Sequence, residues 1–203
     1  MQIVNIDEYR IYITDTSDKD VDSLLWTYHR CEQIHSDIVY VREEGEGFIK
    51  HQADAIVSNR MNTKIAIRVA DCSPIALMWK KYFAVVHAWW RWLKSWIILK
   101  TIHILKAKGE QDIRLFVWPN IKSCCYTVWP EFTTYFDKKY LIARWSKLYL
   151  DMIEIIKDVA TDALISSENI IIDPACTYCG KRHFSYRRGD RDQTILLALE
   201  KIF

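Results

Sequence analysis

Glycine is scarce in this chain. It accounts for 5 of 203 residues, where an average composition of about 7% would supply about fourteen. A chain of this class should need more glycines for its turns. The chain also lacks a basic block. Its 28 Lys and Arg and 26 Asp and Glu are spread evenly, giving a net charge of +2 and little support for nucleic-acid binding. No run of about eighteen apolar residues is present, which argues against a transmembrane helix. The opening MQIVNIDEYRIYI is broken by charges and lacks a signal-peptide apolar core. With no secretory signal, the 6 cysteines point to a reducing, cytoplasmic compartment, where metal ligation or catalysis is favoured over disulfides. Internal repeats, low-complexity stretches and interdomain linkers are absent, so residues 1–203 read as a single domain.

What is present is a large apolar fraction, 50% of residues, and 9 tryptophans. Alternating apolar positions predict one or two strands over residues 1–14. Further strands are expected at Ile38–Val41, Asp54–Ser58, Lys64–Ala70, Ile113–Val117 and Ile170–Ile172. Pro74–Met78 and Tyr82–His87 read as a hairpin around Trp79-Lys80-Lys81. A turn and helix N-cap are expected after Asp15, with Ser17 or Asp18 as the cap, and residues 42–47 (REEGEG) read as a charged surface turn. Leu93–Lys108 has helical spacing and stops at Gly109. Pro130–Phe136, Leu150–Ala163 and Thr194–Ile202 read as further helices. Strands and helices mix without regular alternation, which predicts an α+β domain.

The segment VADCSPIALMWKKYFAVVHAWWR, residues 69–91, sets Cys72 and His87 at the ends of two apolar runs, and His35 lies upstream in CEQIHSD. One thiolate and two imidazoles can hold zinc and leave its fourth position open. Taken singly, Cys72 reads equally as a small buried hydrophobe, His87 as a core histidine and His35 as a surface residue. Spacing alone does not establish the site. In Lys122-Ser123-Cys124-Cys125-Tyr126, adjacent cysteines on a strand would face opposite ways. Cys125 is then the thiol lining a pocket, and Cys124 packs in the core. Cys176-Thr177-Tyr178-Cys179 is half of a structural zinc site or a redox pair, but with one CxxC no second metal is expected there. His183 to Arg188 joins aromatics to guanidiniums, which suits phosphate and base recognition or simply a solvated surface. Arg91 has the same two readings.

Together these segments resemble the YfiH family, also called the laccase-domain or multicopper polyphenol oxidase family, which includes purine nucleoside phosphorylases. The matching pieces are QIHSD (33–37), ADAIVS (53–58), ADCSP (70–74), VVHAWWRW (85–92), PNIKSCCYTV (119–128), the aspartate of LYLDM (148–152), CTYC (176–179) and FSYRR (184–188). The resemblance implies packed mixed β-sheets flanked by helices, and zinc held by His35, Cys72 and His87. It also implies phosphorolysis of adenosine, inosine, guanosine and methylthioadenosine, with some adenosine deamination. On that basis Arg91 and Arg187 are candidates for phosphate, Cys72, Arg91 and Cys125 for the reacting centre, and Tyr126 for the pocket wall. The expected partners are a purine nucleoside and phosphate, with no nucleic acid and no membrane. Two other readings remain: a non-catalytic zinc-stabilised binding domain, and a copper polyphenol oxidase. Laccase copper clusters need about ten histidines, and this chain has 6.

The chain departs from the family at its glycines. Where the family has HAGWRG and GPxIGxCCYEVG, this sequence has Trp89, Trp92, Trp118 and Trp129 in glycine positions. Trp79 and Trp96 look similar. Glycine-to-tryptophan replacement accounts for both unusual counts. A side chain at a left-handed turn costs roughly 1–2 kcal/mol, and overpacking a core site typically costs about 1–3 kcal/mol. Trp89 and Trp92 would flank Arg91 and crowd the pocket beside His87.

Overall fold

The computed structural model describes residues 1–18, 28–42, 51–91 and 96–202. The expected helix after Ser17 and Asp18, the turn at residues 43–47 and Trp92 lie outside the described residues. The turn at Asp15 is described: its Oδ1 accepts from the Ser17 amide at 2.9 Å.

Strand alternation generates three layers. One sheet contains β1 (Gln2–Ile6), β2 (Tyr9–Ile13), β5 (Lys64–Val69) and β13 (Ile195–Lys201), in the order β1-β2-β13-β5. A six-stranded mixed sheet contains β3 (Val39–Arg42), β4 (Ala55–Ser58), β6 (Ser73–Met78), β7 (Phe83–Ala88), β8 (Arg114–Val117) and β12 (Ile170–Ile172), in the order β12-β8-β6-β7-β4-β3. On β6, Ala76 and Met78 face the first sheet, where they pack with Ile11, Ile67 and Leu197. Their neighbours Ile75 and Leu77 face the opposite layer, packed on Ile98 and Ile102 of α1 (Ile97–Ala107) and Ile156 of α2 (Met152–Asp162). Period-2 alternation therefore supplies both faces of the central sheet. The strands and the hairpin expected from Pro74 to His87 form as read. No helix among the described residues is long and apolar enough to cross a membrane.

The ends of α1 and α2 are set locally. Asp151 caps α2, its Oδ1 accepting from the amides of Ile153 and Glu154. Lys106 in the last turn of α1 donates to the carbonyl of Ala163, which caps the C-terminus of α2, at 2.6 Å. Gly109, with φ 90, ends α1.

Three expectations change. Thr194–Ile202 is not a helix: β13 runs between β2 and β5, antiparallel to both. Ile195, Leu197 and Leu199 pack into one core cluster and Leu196 and Ala198 into another. A strand covered on both faces reads as a continuous apolar run, which periodicity cannot separate from a buried helix. Pro130–Thr134 is a 3-10 helix rather than a longer α-helix. A small third sheet of β9 (Thr127–Val128), β10 (Leu141–Arg144) and β11 (Lys147–Leu150) was not foreseen. Its hairpin pairs Arg144 with Lys147 around a two-residue loop, Trp145-Ser146. That loop carries no glycine or asparagine, so it gave no turn signal.

The tryptophans divide by backbone. Trp96, preceding α1, has φ 70, and Trp145 has φ 58; both are left-handed positions that suit glycine. Trp145 is 100% exposed, so its ring offsets none of that strain. Trp118 is buried against Phe116, with its indole N–H unpartnered among the described residues. Trp129 is extended, with φ −77. Trp145→Gly should therefore raise stability by roughly 1 kcal/mol, a Tm increase of about 2–4 °C for a domain of this size. Trp129→Gly, at an ordinary φ, should lower stability by roughly 0.5–1 kcal/mol. Parallel thermal melts check both, and a lower Tm for Trp145→Gly would refute the strain argument.

Candidate metal centre and active site

Three strand ends converge on one buried carboxylate. The antiparallel register sets Ala55 of β4 opposite Val86 of β7, and Pro74 of β6 opposite His87. Asp54, just before β4, therefore lies beside His87, and Cys72, just before β6, lies on the other flank. The His87 amide donates to the Asp54 carbonyl at 2.7 Å, and Asp54 Oδ1 lies 2.8 Å from His87 Nδ1. The third ligand candidate arrives on a loop wrapped around the same carboxylate. The amides of Ile34, His35 and Ser36 donate to Asp54 at 3.3, 3.2 and 2.5 Å, and Ser36 Oγ adds a fourth bond at 2.8 Å. His35 is left-handed, with φ 54, which helps turn successive amides toward one anion.

The result is that His35, Cys72 and His87 meet, with their ligand atoms within 4.8 Å of one another. Because Nδ1 of His87 is engaged by Asp54, Nε2 is left for a metal, the usual carboxylate–histidine–metal relay. Burial raises the Cys72 thiol, but His87 and His35 more than reverse this and bring it to about 7. Burial lowers the His87 imidazole, and Cys72 with Asp54 outweighs it, to about 9. Asp54 is pushed up by burial, but its bonds to His87 and Ser36 hold it below the ordinary carboxylate value.

A cavity of about 1680 Å³ opens beside this group. Arg30, Arg68, Arg187 and Arg191 line it, with Glu32, Asp71 and Asp192 as acidic neighbours and Tyr28, Trp89, Trp90, Tyr126 and Tyr186 as aromatic walls. Tyr126 lies under the Arg187 guanidinium at 5.1 Å, and burial raises its phenol above the usual range. Arg187 also donates to the Thr127 carbonyl at 2.9 Å. Asp71, left-handed at φ 78, accepts from Thr177 Oγ1, Ser185 Oγ and the Arg187 amide at 2.6, 3.0 and 2.8 Å. It thereby anchors the loop bearing Arg187 next to Cys72.

The structure separates residues that the sequence reading had grouped. His35, Cys72, His87, Tyr126 and Arg187 share the cavity wall. Arg91 is exposed and rests on the rings of Trp89 and Trp90, at 5.2 and 5.0 Å, away from the cavity lining. Trp89 enters the pocket, its ring edge-on to His35 at 5.2 Å. Cys125 does not line the cavity. Residues 123–125 form a turn rather than a strand, so Cys124 and Cys125 both join Cys176 and Cys179, their sulfurs within 4.8 Å of one another. This group could hold a metal ion, and it replaces the expectation of a lone CxxC. Asp54 and Asp71 were missed, although each lies inside a quoted motif, ADAIVS and ADCSP. Arg68 and Arg191 carried no sequence signal.

A family model described as multi-copper polyphenol oxidoreductase laccase matches residues 15–195. A purine nucleoside phosphorylase of Aquifex aeolicus is 37% identical over 153 residues, covering 75% of this chain and 72% of that protein. A purine nucleoside phosphorylase of Borreliella burgdorferi is 30% identical over 181 residues, covering 82% and 76%. The crystal structure of Neisseria meningitidis protein NMB0706 matches with a TM-score of 0.82 at 17% identity, covering 100% of this chain and 99% of that one. Bacillus licheniformis hypothetical protein YfiH matches at 0.79 and 23%, covering 90% and 78%. These two structural likenesses establish the fold; the family model and the sequence matches show that the chain belongs to the multi-copper polyphenol oxidoreductase laccase family, the YfiH family of purine nucleoside phosphorylase homologues.

Proposed function

We propose that this chain is a zinc-dependent purine nucleoside phosphorylase acting on inosine, adenosine, guanosine and methylthioadenosine. The observation that carries the reading is the His35–Cys72–His87 group opening onto a cavity lined by arginines and aromatic rings, in a chain whose relatives bear the phosphorylase name. The donor set fits zinc: two imidazoles and one thiolate are a common ligand count for an open, catalytic site. When bound, zinc supplies a Lewis acid able to polarise a substrate oxygen or acidify a water; the latter is what adenosine deamination needs.

In phosphorolysis a phosphate oxygen forms a bond to the anomeric carbon while the bond from that carbon to the base nitrogen breaks. The electron pair leaves with the base, and positive charge builds on the ribose. Arg187 and Arg191, on the cavity wall, would hold the phosphate, the planar guanidinium matching its oxygens. Tyr186 and Trp89 offer rings against which a purine can stack. Tyr126 is a phenol, protonated at neutral pH and held so still further by burial, and can donate a hydrogen bond to substrate. Asp54 orients His87 and shapes the His35 loop without meeting substrate itself.

The direct test is phosphate-dependent release of hypoxanthine from inosine by the zinc-loaded chain. Cys72→Ala should lose this zinc and the activity together; an active variant lacking it would remove the metal from the mechanism. Arg187→Ala should raise KM for phosphate about tenfold or more, as expected for losing a charge-assisted hydrogen bond of about 1.5–3 kcal/mol. An unchanged phosphate KM would exclude Arg187 from that role. Asp54→Asn should weaken zinc binding at the triad about 10–100-fold, the usual consequence of losing a carboxylate behind a ligating histidine. Competition with a chelator measures it, and unchanged affinity would assign Asp54 to folding alone.

A further inference from the structure

Cys124, Cys125, Cys176 and Cys179 play no part in the reading above. Two come from the turn after Ile121 and two from the CTYC turn, and the four sulfurs lie within 4.8 Å of one another. Zinc–sulfur bonds of about 2.3 Å in a tetrahedron put sulfurs about 3.8 Å apart. Cys124 Sγ and Cys179 Sγ are 3.9 Å apart, close to that edge and well beyond a disulfide bond of about 2.05 Å.

The surroundings of Cys176 suit a thiolate. The Lys122 amide donates to Cys176 Sγ at 3.4 Å, and the amides of Tyr178 and Cys179 also face that sulfur. Gly180 closes the CTYC turn, its amide donating to the Cys176 carbonyl at 2.9 Å. A Cβ on Gly180 would stand 2.6 Å from that carbonyl oxygen, so this turn tolerates no side chain there. Outside the turn, Arg188 donates to the carbonyls of Thr177, Tyr178 and Gly180 at 2.7, 3.2 and 3.2 Å. The Lys122 ammonium nitrogen is buried with no hydrogen-bond partner among the described residues. A buried cation without a partner is costly, and four thiolates around a divalent ion carry a net charge of −2 that would offset it.

We propose that Cys124, Cys125, Cys176 and Cys179 bind a second zinc ion in a closed, structural tetrathiolate site, separate from the His35–Cys72–His87 group. The ion ties the turn that leads into Tyr126 to the turn that leads toward Arg187. Those are the two side chains that stack at 5.1 Å in the cavity wall, so the site acts as a brace for the pocket. Four thiolates select zinc over the harder divalent ions, and Cys124 and Cys179 are exposed, giving the ion a path in.

Metal content of the full chain, purified under reducing conditions without chelator, tests this independently of activity. The expected result is two zinc ions per chain, one in Cys72→Ala, and one in the double variant Cys176→Ser with Cys179→Ser. Because that double variant can misfold, Cys124→Ser, at an exposed position, is measured beside it, and circular dichroism verifies its fold. A folded Cys124→Ser chain should lose the second zinc to a chelator at least tenfold more readily than the unaltered chain. Cobalt added to metal-free Cys72→Ala should give the intense near-ultraviolet charge-transfer band of thiolate ligation. No zinc in a folded Cys72→Ala chain, two zincs retained in the double variant, or a Cys124–Cys179 disulfide in alkylation mass spectrometry would each overturn the proposal. A chain with two zincs and no phosphorolysis would uphold this site while removing the phosphorylase reading.

Discussion

Taking the Asp54 carboxylate out of water is the constraint on which the candidate site is built. Its side chain is fully buried, and a buried carboxylate is tolerated only when its oxygens are saturated with donors. Here three loop amides, one hydroxyl and one imidazole converge on it. Satisfying that charge makes the 34–36 loop fold back over β4, imposes the left-handed turn at His35, and locks the tautomer and direction of His87. The ligand geometry thus follows from satisfying a single buried anion rather than from any preference of the ligands themselves.

Asp71 repeats the device on the other side of Cys72. Its carboxylate gathers Thr177, Ser185 and the Arg187 amide, so residues more than a hundred positions away in sequence are held against the start of β6. Both aspartates are next to strand ends, and His35 and Asp71 both have positive φ. At these two positions the surrounding hydrogen bonds hold the left-handed backbone in place. The CTYC turn is tied to this second hub through Thr177.

The tryptophans act against this economy of space. Trp89 shares the cavity with His35, and Arg91 rests on the rings of Trp89 and Trp90. Trp96 and Trp145 occupy left-handed backbone, and Trp118 buries an indole N–H that has no partner among the described residues.

Much of the fold was legible in the sequence because it depends on local pattern. Alternating residues such as Ile75, Ala76, Leu77 and Met78 specify a strand and both of its faces, and helical spacing from Ile97 to Leu105 specifies α1. The ligand candidates His35, Cys72 and His87 were recognisable only as members of ordered motifs. What sequence pattern could not decide depended on burial and on chain reversal. Residues 195–199 carry no period that separates strand from helix, and only placement between β2 and β5 made them a strand. Trp145-Ser146 hides a hairpin because the usual turn residue is missing. Cys124 and Cys125 were read by strand geometry, yet a turn brings both sulfurs beside Cys176 and Cys179. Whether a cysteine is core, pocket wall or metal ligand depends on where its backbone turns, and that is settled by the packing of distant segments.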